Sequence, residues 1–171
     1  MKKENPMKSI RIEKVTLNIG AGTDPKDVNN AVILLQKISN KKPIKTHGKK
    51  RIPTWNLREG VPIGAKVTLR GKQAVDVLNR LLESVSYIIP ERSFTNTGFS
   101  FGIPEYIQIE GVEYDPKIGI IGLEASVTFE RPGFRIKRRK IKNKRLPKKH
   151  DLTKAEVIDY AQKNLKVKFK E

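Results

Sequence analysis

The sequence predicts an α+β fold: a mainly antiparallel sheet with helices packed on one face, a long basic loop and a basic C-terminal extension. Three observations predict it. Stretches in which apolar and polar residues alternate, the period of a half-buried strand, are interleaved with stretches whose apolar residues recur every three or four positions, the period of an amphipathic helix. Strand signals also follow one another with no helix between them, which favours antiparallel neighbours. Finally, the cationic excess, 36 Lys and Arg against 18 Asp and Glu, gathers in segments that follow neither period.

The first strand is expected from Ile10 to Ile19. Val15, Leu17 and Ile19 alternate with Lys14, Thr16 and Asn18, which makes one face apolar and the other polar. Ile10 and Ile12 are out of phase with that set, and the mismatch predicts a bulge or a late strand start near Glu13. Gly20-Ala21-Gly22 turns the chain into a helix. Asp24 suits the N-cap, Pro25 the first helical position, and Asp27 the positive helix end. Val28, Ala31, Leu35 and Ile38 share one helical face, and Asn40 with Pro43 stops the helix.

A basic, turn-rich loop is expected from Lys41 to Gly64, containing the single tryptophan, Trp55. Ala65, Val67 and Leu69 then form the apolar side of a strand, with Lys66, Thr68 and Arg70 opposite. Gly71 breaks it. Val75, Leu78, Leu82, Val85 and Ile89 predict a second helix ending at Pro90. Phe99, Phe101 and Ile103 alternate in a Gly/Ser/Phe-rich stretch, and Ile107 with Ile109 predicts another short strand. Leu123, Ala125, Val127 and Phe129 alternate against Glu124, Ser126, Thr128 and Glu130, a clear strand pattern. From Arg131 to Lys149 there are 11 basic residues and no acidic one. Thr153 and Glu156 then have the spacing of a capping box for a last helix carrying Ile158, Ala161 and Leu165. One domain covers residues 1–171, with its core at about 8–130 and the basic arm and terminal helix at 131–171.

Charge narrows the function. A net charge of +18 and a pI near 10.1 cost self-repulsion and favour a polyanionic partner, of which nucleic acid is the commonest. With no cysteine, disulfides, zinc fingers and thiol chemistry are excluded. The two histidines, His47 and His150, lie far apart beside lysines, and no metal site or cofactor is indicated. No apolar run has membrane-spanning length, and Met1 to Pro6 lacks a signal-peptide core. The expectation is an intracellular protein that is not an enzyme.

An enzymatic alternative rests on Gly20-Ala21-Gly22, where a strand, two glycines and a helix start match the layout of a phosphate cradle. The dinucleotide fingerprint fails because Pro25 takes the place of the third glycine, and no Gly-Lys-Ser/Thr follows for a P-loop. A tight strand-to-helix turn is the simpler reading. A DNA-binding architectural protein is a further alternative.

Three surfaces are candidates for RNA. In the long loop, Lys41, Lys49, Lys50 and Arg51 would neutralise phosphates, while Trp55 either stacks on a base or ribose or anchors the loop. On the sheet's polar face stand Lys14, Thr16, Asn18, Lys66, Thr68 and Arg70. Glu124 and Glu130 fit an ordinary solvated surface on the last strand. The tract Phe134 to Lys149, with Arg135, Arg138 and Arg139, reads as an RNA-contacting arm that orders on binding, against a basic tail as the plain alternative.

The segments Lys14-Val-Thr-Leu-Asn-Ile-Gly20, Lys42-Pro43 and Asn56-Leu-Arg-Glu-Gly-Val-Pro-Ile-Gly-Ala-Lys-Val-Thr-Leu-Arg-Gly71 resemble ribosomal protein five of the large subunit, the universal "L five" family. Phe99-Ser-Phe-Gly-Ile-Pro-Glu-Tyr-Ile107 and Gly122-Leu-Glu-Ala-Ser-Val-Thr128 also fit. The resemblance spans roughly residues 10 to 130 and is most specific from Leu57 to Gly71. It implies a cytoplasmic ribosomal protein that binds 5S rRNA in the central protuberance with the polar side of its sheet. It also implies contact with peptidyl-site tRNA through a long loop. Asn18 and Thr68 would then belong to the 5S rRNA surface, and Lys50 to Pro62, with Arg51, Trp55 and Arg58, to the tRNA-facing loop. Large-subunit 23S-type rRNA and neighbouring ribosomal proteins of the central protuberance are the other implied partners. The chain lacks the longer helical N-terminal extension of bacterial members and carries the basic tract and terminal helix instead of their ending. That pattern resembles the archaeal and eukaryotic branch.

Overall fold

The computed structural model describes residues 5–170, Lys170 by its backbone alone. Its centre is β1 (Arg11–Gly20), which is hydrogen-bonded on one side to β3 (Pro62–Leu69) and on the other to β7 (Leu123–Glu130), both antiparallel. Beyond β3 lies β2 (Ile44–His47), and beyond β7 lie β6 (Gly98–Ile103) and β5 (Phe94–Thr95). The six strands form one sheet in the order β2-β3-β1-β7-β6-β5, antiparallel throughout. A small separate sheet pairs β4 (Ile88–Pro90) in parallel with β8 (Lys168–Lys170).

The expected alternation holds in the three central strands. Val15, Leu17 and Ile19 of β1, Ala65, Val67 and Leu69 of β3, and Leu123, Ala125, Val127 and Phe129 of β7 are all buried. They pack with Ala31, Leu34, Leu35 and Ile38 of α1 (Pro25–Ser39), Leu78, Leu81 and Leu82 of α2 (Lys72–Ser84), and Val157, Ala161 and Leu165 of α4 (Lys154–Leu165). The fourth helix, α3 (Arg135–Arg138), is one turn within the basic arm. The bulge is present. Pairing of β1 with β7 shifts register between Ile12 and Lys14, so Ile12 lies opposite Phe129 while Lys14 lies opposite Thr128.

The helix ends follow their caps. The Asp24 carboxylate accepts from the Lys26 N–H at 2.9 Å, and Asn40 closes α1 in a left-handed conformation (φ 50°). Thr153 and Glu156 complete the capping box that opens α4, with the Thr153 hydroxyl accepting from the Glu156 N–H and the Glu156 carboxylate accepting from the Thr153 N–H.

Four expectations are corrected. The loop is shorter than Lys41–Gly64, because Ile44–His47 forms the edge strand β2 and Pro62 already belongs to β3. Pro43 and the many lysines hide β2, whose residues are largely exposed and show no alternation. The second helix stops at Ser84, not at Pro90. Ser86 and Tyr87 take positive φ angles, and the apolar Ile88 and Ile89 serve β4. Its buried face is Ala74, Val77, Leu78, Leu81 and Leu82, with Val75 left exposed. Finally, Ile107 and Ile109 do not form a strand. Tyr106–Gln108 is a 3-10 turn, and the buried Tyr106 hydroxyl accepts from the Asp115 N–H at 3.0 Å.

Candidate nucleic-acid interface

A strand whose inward residues are apolar must present its alternate residues on the other side of the sheet. On this open face the register assembles cross-strand rows. One row reads Thr68, Thr16, Ser126 and Ser100, from β3 through β1 and β7 to β6. The next reads Ile44, Lys66, Asn18, Glu124 and Gly102, from β2 to β6. Lys14 pairs with Thr128 and then Gly98 in a third. Short hydroxyls and amides on a flat surface allow a polynucleotide backbone to come close while offering it donors.

The predicted face residues therefore come together. Thr16 and Asn18 are half-buried at the centre, Lys66 and Thr68 are exposed beside them, and Lys14 is half-buried at the bulge. Arg70 stands just beyond β3 and donates to the Glu13 carboxylate at 3.2 Å and to the Glu13 carbonyl at 3.4 Å. Lys41 is exposed but lies in the turn between α1 and β2, apart from these rows.

The candidate residues cover only the β1 and β3 half of the face, with Glu124 assigned to an ordinary solvated surface. Ser100, Gly102, Ser126, Thr128 and Glu124 of β6 and β7 complete it, as the alternation of Ser and Thr with Phe and Val in those two strands already indicated. Lys45 lies outside the predicted set. It sits on β2 and donates to the Asn29 side chain at 2.8 Å.

The loop between β2 and β3 is a closed finger. Gly48 and Val61 are hydrogen-bonded at its base, the Gly60 N–H returns to the Gly48 carbonyl, and Ile52 and Leu57 pair across its tip. Lys49, Lys50, Arg51 and Arg58 are exposed on it. Trp55 is 69% exposed at the end of a 3-10 turn. It does not anchor the loop, which its backbone bonds already hold, so the anchoring reading is set aside.

The basic arm is fixed at both ends. At its start, the buried Arg131 donates to the Glu156 carboxylate at 2.6 Å and to the carbonyls of His150 and Asp151. Phe134 is buried, packs against the His150 ring at 5.8 Å, and is joined by the buried Leu152. Between these points Arg138 forms ion pairs with both Glu13 and Glu130. Arg139 donates to the Lys142 carbonyl, and Arg135 is exposed on the same helical turn. Glu156 itself is held below the ordinary glutamate range. Burial alone would raise it, but bonds from the Thr153 N–H and hydroxyl and from Arg131 outweigh that effect.

The turn at Gly20-Ala21-Gly22 does not offer a phosphate cradle. Pro25 brings no N–H to the start of α1, Asp24 takes the Lys26 N–H, and Asp27 adds a second negative charge. A phosphate there would meet two carboxylates instead of free donors. Among the described residues no group of His, Cys, Asp or Glu is placed to hold a metal, and no helix is long and apolar enough to cross a membrane.

Comparison with known proteins agrees with this geometry. Residues 5–58 match the family described as ribosomal protein L5, and residues 62–160 match the model of that ribosomal family's C-terminus. The large ribosomal subunit protein uL5 of Nanoarchaeum equitans is 51% identical over 167 residues, covering 97% of this chain and 99% of the relative. Those of Sulfurisphaera tokodaii and Methanobrevibacter smithii are 44% and 39% identical, covering 95% and 96% of this chain and 93% and 98% of theirs. All three organisms are archaea, in keeping with the branch that the basic arm and terminal helix resemble. The chain belongs to the ribosomal protein L5 family, the RNA-binding, non-enzymatic constituents of the large subunit of the cytoplasmic ribosome.

Proposed function

We propose that this chain binds 5S rRNA in the central protuberance through the open face of its sheet. In the same reading, the finger between β2 and β3 reaches peptidyl-site tRNA, and the basic arm meets 23S-type rRNA or neighbouring ribosomal proteins. The observation that carries the proposal is the uncovered face itself. The three long helices all contribute to the core on the opposite side, and the exposed side presents hydroxyls, Asn18 and lysines in register. Cations there and in the arm supply affinity through phosphate contact and counterion release, while uncharged groups supply discrimination.

The test is binding of the full chain to purified 5S rRNA and to a folded control RNA of equal length. Tighter binding to 5S rRNA, falling steeply as salt rises, is expected. Equal affinity for both RNAs would refute the reading, and preference for duplex DNA would replace it with an architectural role.

A further inference from the structure

Two pairs of glycines on the sheet differ in what they do for the fold. At Gly64 a Cβ would fall 2.3 Å from the Ile19 carbonyl oxygen, and at Gly98 it would fall 1.9 Å from that of Val127. Those glycines are required by strands that approach closely. At Gly20 and Gly102 nothing lies within 4 Å of a Cβ, and neither has a left-handed backbone. Gly102 lies inside β6, where glycine weakens a strand relative to residues with side chains, and Gly20 ends β1 beside it on the same face. With no internal reason for it, the bare backbone at these two positions points to an external group that comes close.

Both glycines border a hollow of about 520 Å³ on the open face, walled by Asn18, Glu124, Ile103, Pro104 and Leu123. An adjoining hollow of about 320 Å³ shares Asn18, Gly102 and Glu124. Asn18 and Glu124 are direct cross-strand partners, and Gly102 is the partner of Glu124 on its other side. Neither the Glu124 carboxylate nor the Asn18 amide has a side-chain bonding partner among the described residues, whereas Glu13 and Glu130 on the same face are clamped by arginines. Lys66, in the same row, is separated from Glu124 by a whole strand.

We propose that this hollow takes an unpaired guanine, whose N1–H and N2–H donate to the two oxygens of Glu124 while Asn18 donates to its O6. The inference rests on the reading of this face as an RNA surface. RNA lying on the face covers Glu124, and a carboxylate buried against a polyanion without donors is strongly disfavoured. It must therefore meet N–H or O–H groups. A carboxylate accepts best from two parallel donors, and guanine is the base that presents two adjacent donors on one edge. Adenine and cytosine offer one exocyclic amine, and the ribose offers one hydroxyl. Pro104, exposed at the rim, gives the flat base an apolar contact. Because the site uses the Watson–Crick edge, the guanine lies in a loop or bulge.

The experiment compares the full chain with Glu124→Gln and Gly102→Val on 5S rRNA, with kethoxal, which reacts across N1 and N2 of unpaired guanine, as the probe. The wild type protects a guanine. Glu124→Gln weakens binding about tenfold or more, as for loss of a bidentate base contact, with an unchanged salt slope. At saturating protein that guanine becomes reactive again. Gly102→Val fills the hollow, melts with the wild type and loses the same protection. Binding by Glu124→Gln as tight as or tighter than wild type overturns the site and marks Glu124 as a solvated charge or a contact for a basic protein. Lost protection confined to adenine or cytosine, read with dimethyl sulfate, or to a 2′-hydroxyl, read by acylation, overturns it equally. If the wild type itself fails to prefer 5S rRNA over the control, the broader RNA reading is what has failed.

Discussion

Arg138, in the middle of the basic arm, pairs with Glu130 at the end of β7 while also reaching Glu13 in the bulge of β1. Arg11 and Arg70 complete the cluster from β1 and from just beyond β3, Arg11 bonding Glu130 at 2.6 Å. Two carboxylates whose side chains are only 10% and 11% exposed thus hold three half-exposed guanidiniums. Glu130→Gln leaves Arg11 without its charged partner and Arg138 with only Glu13. We expect a loss of about 1–2 kcal/mol, between an exposed and a buried pair. Thermal melting measures this as a drop of a few degrees. Limited trypsin digestion of the RNA-free protein should also cut faster between Arg135 and Lys149. Unchanged cleavage would show that the arm is not latched by Glu130.

The finger between β2 and β3 separates stability from function. Its backbone bonds hold it, and its cations and Trp55 point outward. The triple change of Arg51, Trp55 and Arg58 to Ala should move stability by no more than about 0.5 kcal/mol per site, as for ordinary surface positions. Affinity for 5S rRNA should be preserved, while retention of tRNA by reconstituted ribosomes should fall. Collapse of 5S rRNA binding instead would assign the finger to the wrong RNA.

How much of this was legible in the sequence depended on whether a residue's partner was local. Alternation placed β1, β3, β6 and β7, because each buries one face in the common core. The out-of-phase Ile12 even located the bulge, since a bulge reverses the inward side of a strand. The edge strand β2 was hidden because an edge with both faces largely exposed needs no apolar alternation. Likewise β4 and β8 pair across a long stretch of chain, and nothing in either short segment announces the other. The Arg138 cluster was equally invisible, because its carboxylates lie 125 and 8 positions away and meet only once the sheet has formed. Composition identified the arm as basic but could not show which arginine is engaged internally.

On the open face, charge and shape should be separable by salt. Lys66 is an exposed cation in the central row, and Asn18 is its uncharged neighbour across the strand pair. Lys66→Ala should weaken 5S rRNA binding and flatten the dependence of log affinity on log salt by about one unit or less. Asn18→Ala should weaken binding while leaving the slope unchanged. Titrations at several salt concentrations measure both quantities. The same slope change from both variants would mean that Asn18 acts by displacing a cation, not by contacting a base.

The terminal helix should carry an acid-sensitive contribution to stability. Burial of Glu156 works to raise its carboxyl, yet bonds from Thr153 at the start of α4 and from Arg131 at the root of the arm hold it below the ordinary glutamate range. A carboxylate with a lowered folded pKa stabilises the protein fully above its unfolded value. That contribution fades as pH falls from the ordinary, unfolded glutamate value through the lower folded one. The wild type should therefore melt above Glu156→Gln by a constant margin at neutral pH, and the margin should narrow as the solution is acidified past that point. Arg131 sharpens the expectation, because it is buried and Glu156 is its only carboxylate partner among the described residues. Protonating Glu156 removes the one negative charge that the guanidinium meets among the described residues. A margin that does not change with pH would mean that the charge on Glu156 contributes nothing.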